Sequence, residues 1–166
     1  MDRSQHPAIA DTKFELLRNR CMDAFSLMEE ALVELLVAAG HAVTPCASLG
    51  QKIDAARKIK PCPRISKDNA KKLPALLLLC EAKIPERNDI SHSRLRIVTM
   101  DGAAFACFAN AGQDVSVSQS ARLFTHKAIS GLASETTGLA GDLRRVLNAT
   151  PAPSQPPPSQ AATTGP

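Results

Sequence analysis

Apolar residues recur at steps of three and four from Phe14 through Leu17, Cys21, Phe25, Met28, Leu32 and Leu35 to Ala39. This spacing follows the 3.6-residue helical period and predicts a first helix of roughly seven turns. Thr12 and Glu15 stand at capping-box spacing and predict its start, which leaves residues 1–10 as a frayed lead-in. Gly40 predicts its end. A second apolar row (Leu16, Leu27, Val33, Leu36, Val37) widens the face. So broad a face predicts a helix sandwiched between neighbours, another subunit among them.

Thr44 and Pro45 break the pattern. Ser48 then predicts the cap of a second helix with Leu49, Ile53, Ala56 and Ile59 inward, ended by Pro61 and Pro63. A third helix starts at Ser66 or Asp68, with an inward row of Leu73, Leu76 or Leu77, Cys80 and Ile84 leading to Arg87. Pro74 fits best in its first turn, where a missing N–H costs little. Pro85 either kinks this helix just before Arg87 or marks a helix that has already stopped at Lys83.

After His92 the period changes. Leu95–Met100, Asp101-Gly102 and Ala103–Ala109 read as strand, type I′ turn and strand. An isolated hairpin is only marginally stable, so it should lie on the helices. Ser116 or Ser118 begins a last long helix, with Ala121, Phe124, Ala128, Leu132, Leu139, Leu143 and Val146 inward. Residues 150–166 carry six prolines and no charge. Such a stretch buries too little apolar surface to fold and reads as a disordered tail. The expected architecture is therefore an all-α bundle of four to five helices spanning residues 11–149, with a small β-hairpin before the last helix.

Composition narrows the functions. A chain of 166 residues with 44% apolar and 22% charged content suits one soluble domain. Five phenylalanines are its only aromatic rings among Phe, Trp and Tyr, which argues against reading single strands by base stacking. Cys21, Cys46, Cys62, Cys80 and Cys107 are odd in number and lack a C-x-x-C pair, as expected of reduced thiols in a cytoplasm. The polar start lacks the apolar centre of a signal peptide, and no apolar run is long enough for a membrane span. No close ligand pair supports a structural zinc site, and no glycine-rich phosphate loop is present. No metal or cofactor is therefore expected.

Charge is distributed unevenly. Between Lys52 and Lys72 eight basic residues face only Asp54 and Asp68, so this stretch carries +6 against +4 for the whole chain. A local field of that sign gathers polyanions, although a solvated helix face has the same composition. Lys52, Arg57, Lys58, Lys60 and Arg64, with Arg94 and Arg96 further on, are the candidate contacts to such a polyanion.

The densest chemistry lies in Glu86-Arg87-Asn88-Asp89-Ile90-Ser91-His92. Histidine exchanges protons near neutrality. Arginine forks onto two phosphate oxygens. The five-residue step from Arg87 to His92 is about 140° on a continuous helix. Convergence of the two side chains therefore requires the helix to end between them, and Asp89, Ser91 and Ser93 favour such an end. One chain offers one such histidine, whereas two copies across a two-fold axis offer both an acid and a base.

Arg87-Asn88-x-x-x-His92 near the end of a helix resembles the Arg-x4-His signature of the HEPN superfamily (higher eukaryotes and prokaryotes nucleotide-binding domains). The layout of residues 11–148 is similar to many small bacterial members, while the identity covers Arg87, Asn88 and His92. Ser93 stands where a glycine often follows the histidine. The resemblance implies a metal-independent endoribonuclease that leaves a 2′,3′-cyclic phosphate, or an RNA-binding relative that has lost activity. It assigns His92 as the catalytic histidine, Arg87 as the phosphate arginine and Asn88 as the adjacent polar residue. It further implies a homodimer, a toxin or host-defence role, and an antitoxin or nucleotidyltransferase partner. Two readings compete with it. One is an inactive protein-interaction module of the same fold, and the other is a helical adaptor that presents its proline-rich tail.

Overall fold

The computed structural model describes residues 6–110 and 122–147. The expected lead-in before His6, the helix start at Ser116 or Ser118, Ala121 and the proline-rich tail lie outside the described residues. The described chain is mostly helical: α1 (His6–Ala38), α2 (Leu49–Ala56), α3 (Lys67–Glu81), α4 (Ile84–His92) and α5 (His126–Val146). Strands β1 (Ser93–Met100), β2 (Ala103–Asn110) and β3 (Arg122–Phe124) stand between α4 and α5. The expected helical bundle with a β-hairpin before its last helix holds in outline, and β3 extends that hairpin to a three-stranded antiparallel sheet ordered β1-β2-β3.

Each long helix is set by its apolar stripe. In α1, Phe14, Leu17, Cys21, Phe25, Met28, Leu32 and Leu35 are all buried, and they form one core with Ile129, Leu132, Leu139, Leu143 and Val146 of α5. The α1–α5 pair is the spine of the fold. Of the second apolar row on α1 only Leu36 is buried, while Leu16 (53%) and Val37 (62%) lie open. The helix begins at His6, six residues ahead of Thr12. It ends where Gly40 takes φ +78° and the N–H groups of Gly40 and His41 return to the carbonyls of Val37 and Leu36. That is a Schellman closure, which a left-handed glycine permits without a Cβ penalty.

Local signals start the short helices. Ser48 Oγ accepts from the Gln51 N–H (3.3 Å) while Gln51 Oε1 accepts from the Ser48 N–H (2.8 Å). This reciprocal box starts α2 with Leu49, Ile53 and Ala56 buried. Ser66 caps α3 through the Asn69 N–H, and Leu73, Leu77 and Cys80 are its buried row. Pro74 lies inside α3, not in its first turn. It sits on the exposed side, where losing the bond to the Ala70 carbonyl is offset by the buried leucines flanking it.

The sheet follows its turn. Asp101 (φ 50°) and Gly102 (φ 76°) both occupy the left-handed region, the requirement of a type I′ turn, and Met100 pairs directly with Ala103. Leu95, Ile97, Ala106, Phe108 and Phe124 share the inner face. Phe108 and Phe124 meet edge to face at 5.6 Å between ring centres. Phe124 was expected inside the last helix, but it belongs to β3 and pairs with Ala106. α5 starts only after Thr125, whose hydroxyl accepts from the Ala128 N–H. Ala128 is consequently exposed and Ile129 takes the inward position.

Candidate functional site

The motif Arg87-Asn88-x-x-x-His92 lies wholly on α4. α3 ends at Glu81 and a new helix begins at Ile84, with Pro85 in its first turn. Pro85 therefore starts α4 instead of kinking a longer helix, because a proline in that turn sacrifices no intrahelical bond. Ile90 is fully buried and anchors α4 to the core. Arg18 of α1 donates from Nε to the Ile90 carbonyl (3.1 Å) and from Nη2 to the Ser93 carbonyl (3.2 Å). A cation is thus supplied where the helix dipole is negative, which fixes the end of α4 against α1.

The helix does not give out between Arg87 and His92; it runs unbroken through His92. The expected convergence within one chain is corrected accordingly. Ser91 spends its hydroxyl on the Asn88 carbonyl (3.4 Å), a bond internal to the helix. With about 100° per residue, Asn88 and His92 share one face, four residues apart, and Arg87 lies about 140° from His92. Burial follows this division: Asn88 and His92 are exposed, whereas Arg87 is half-buried.

Arg87 points into a cleft of about 530 Å³ bordered by Glu29, Glu30, Val33, Glu34 and Lys52. Its Nε (3.0 Å) and Nη2 (2.8 Å) both donate to Glu29 Oε1. Glu29 Oε2 accepts from Lys52 Nζ at 2.8 Å. One carboxylate of α1 thus joins α2 and α4. The neighbouring Glu30 turns elsewhere and shares Arg144 of α5 with Glu34. Adjacent helical acids diverge in this way because successive side chains point to different faces. The same carboxylates hold the Arg144 guanidinium charge more firmly, raising its affinity for protons.

On the opposite flank of α4, Arg122 Nη1 reaches Glu86 (3.3 Å) and its Nε reaches Asp89 (3.0 Å). This clasp binds β3 to α4. Neither it nor the Glu29 bridge has a signature in sequence spacing, since the Glu29–Arg87 partners are 58 residues apart.

The remaining candidate cations divide. Lys52 is drawn into the cleft with its side chain 11% exposed. Arg57 bridges Asp54 and Glu81, which raises its proton affinity further. Arg64 is half-buried, and its Nε is buried without a hydrogen-bond partner. Lys58 and Lys60 are exposed beyond α2, and Arg94 and Arg96 are exposed on the outer face of β1. The predicted RNA-contacting set therefore retains four open cations, two in the segment after α2 and two on β1.

Among the described residues no cluster of three metal-ligating side chains forms. Burial raises Cys21 and Cys80 to about 11 each, which keeps them neutral core thiols. Among the described residues no helix is long and apolar enough to cross a membrane. Comparison with protein-family models, characterised proteins and solved structures finds no match to this chain.

Proposed function

We propose that this protein is an RNA-acting helical domain of HEPN type that works as a homodimer, with Arg87, Asn88 and His92 as its motif. The reading is carried by one observation: Asn88 and His92 stand together on the solvent face of α4, a helix whose opposite side is pinned by Ile90 and Arg18. That is a rigid mount for an imidazole that stands exposed among the described residues. A second copy facing this surface would supply the second histidine, so that one acts as base and the other as acid.

In the proposed cleavage, one His92 takes the proton of a ribose 2′-hydroxyl. The 2′-oxygen attacks the adjacent phosphorus while the second His92 protonates the departing 5′-oxygen. A 2′,3′-cyclic phosphate and a free 5′-hydroxyl result. Arg87, about 140° round α4 from His92 and bonded to Glu29, would have to leave that carboxylate to steady the charge on the phosphorane-like transition state. Lys58, Lys60, Arg94 and Arg96 would hold the RNA backbone, since they are the candidate cations left open. The test is incubation of wild type and His92→Ala with total RNA in the presence of a chelator. Wild type is expected to cleave and the variant to lose activity; equal cleavage by both would refute the assignment.

A second reading follows from the occupancy of Arg87 by Glu29. In it the same fold is a non-catalytic interaction module in which Arg87 is structural. An RNA-binding titration across salt, with native mass spectrometry, separates the two. Absence of binding at low salt leaves the protein-interaction reading.

A further inference from the structure

We infer that Lys52 and Arg87 form an anion site for phosphate groups and that Glu29 closes it as an internal substitute for the ligand. The inference rests on the proposed role of Arg87 and adds to it a second cation and a gate.

The geometry carries the inference. Glu29 is held by two cations from two different helices, with contacts of 2.8 Å on each side. The side chains of Lys52, Glu29 and Arg87 are 11%, 20% and 27% exposed. Arg87 offers Glu29 the edge made by Nε and Nη2. That is the edge by which a guanidinium grips two oxygens of a phosphate. Glu29 uses it poorly, because both contacts converge on Oε1 while Oε2 turns to Lys52. A phosphate, with more oxygens and up to two charges, satisfies both donors of that edge and the ammonium together.

The surroundings favour exchange. Swinging Glu29 out leaves two partly desolvated cations facing one cleft, a state that calls for an anion. The rim acids do not fill that need, since Glu30 and Glu34 lie within 3.5 and 3.1 Å of Arg144. The cleft, at about 530 Å³, has room for a pyrophosphate group or a phosphodiester segment. A permanent structural ion pair is the competing account, and it predicts that no anion displaces the carboxylate.

The probe is inorganic pyrophosphate, followed by the Nε–H resonance of Arg87 in wild type and Glu29→Gln, assigned by its loss in Arg87→Lys. Pyrophosphate is expected to shift the resonance in both proteins and to bind Glu29→Gln about tenfold more tightly, the order of effect of removing one charged hydrogen-bond competitor. Lys52→Gln in the Glu29→Gln background should cancel most of the gain. If Glu29→Gln folds poorly, as a thermal melt would show, the wild-type titration decides: no Arg87 shift at millimolar pyrophosphate overturns the site. Equal affinity of wild type and Glu29→Gln overturns the gate. A parallel titration with an uncleavable 2′-O-methyl RNA separates the two proposals. Pyrophosphate binding without RNA binding sustains the site and removes the RNA reading, and RNA binding with an unmoved Arg87 does the reverse.

Discussion

Replacing Thr136 by valine should stabilise this protein. Thr136 is 0% exposed within α5, on the face that packs against α1. Its Oγ1 is buried without a hydrogen-bond partner. The next residue shows the usual remedy: Thr137 Oγ1 donates to the Ala133 carbonyl at 2.9 Å. Thr136 makes no such bond, so its hydroxyl has lost water and gained nothing. Leaving a hydroxyl in that condition costs about 1–3 kcal/mol. Valine replaces the oxygen by a methyl of similar size, and its helix propensity is close to that of threonine. The net expectation is about 1–2 kcal/mol of added stability, which for a domain of this size raises Tm by about 2–8 °C. The chain has no Trp and no Tyr, so urea unfolding is followed by circular dichroism at 222 nm. The midpoint should rise with an unchanged m-value. Thr136→Ser, which keeps the hydroxyl and deletes a methyl, should be destabilised by about 1 kcal/mol. A Thr136→Val midpoint at or below wild type would refute the reasoning, because it would mean the hydroxyl is satisfied in solution.

Three further outcomes are expected. Cys21 and Cys80 have proton affinities raised by burial to about 11, above the ordinary thiol value of 9.0. The folded state keeps those protons while the unfolded state sheds them, so this contribution is complete below pH 9 and is lost as pH rises towards 11. Unfolding midpoints measured from pH 8 to 10.5 should fall, and alkylation of the native protein at pH 8 should label exposed Cys46 while sparing Cys21 and Cys80. Ile90→Ala should cost about 2–5 kcal/mol, since Ile90 is fully buried; a loss under 1 kcal/mol would show that α4 is not packed as described. Arg122→Gln should cost about 1 kcal/mol and speed amide exchange in α4, because Glu86 and Asp89 lose their shared partner; unchanged exchange rates would show that the clasp contributes nothing.

What was legible in the sequence was the physics carried by neighbours along the chain. The apolar stripe of α1, the serine caps at Ser48 and Ser66, the Gly40 stop and the Asp101-Gly102 turn each depend on residues a few positions apart. Period and capping chemistry therefore located them. The Arg87-Asn88-x-x-x-His92 motif was legible as a set of residue types, and the absence of close cysteine or histidine pairs was legible too.

Other features depended on partners distant in sequence. Phe124 fits the inward row of a helix by its spacing, and only Ala106 and Phe108 across the sheet make it a strand. Pro74 is tolerated inside α3 because tertiary packing holds the leucines around it. The site shows the same division. Local residues favoured a helix end after Arg87, yet Ile90 in the core and Arg18 on the next carbonyls carry α4 on to His92. Whether Arg87 and His92 face one another was therefore settled by burial and by an arginine 72 residues away from Ile90. Glu29 reached Arg87 and Lys52 by the same route. Residue types and their local spacing supplied the side chains and most of the helices that bear them. Their aim and their neutralising partners came from the packed fold, because ion pairs and packing act between elements that spacing along a chain cannot align.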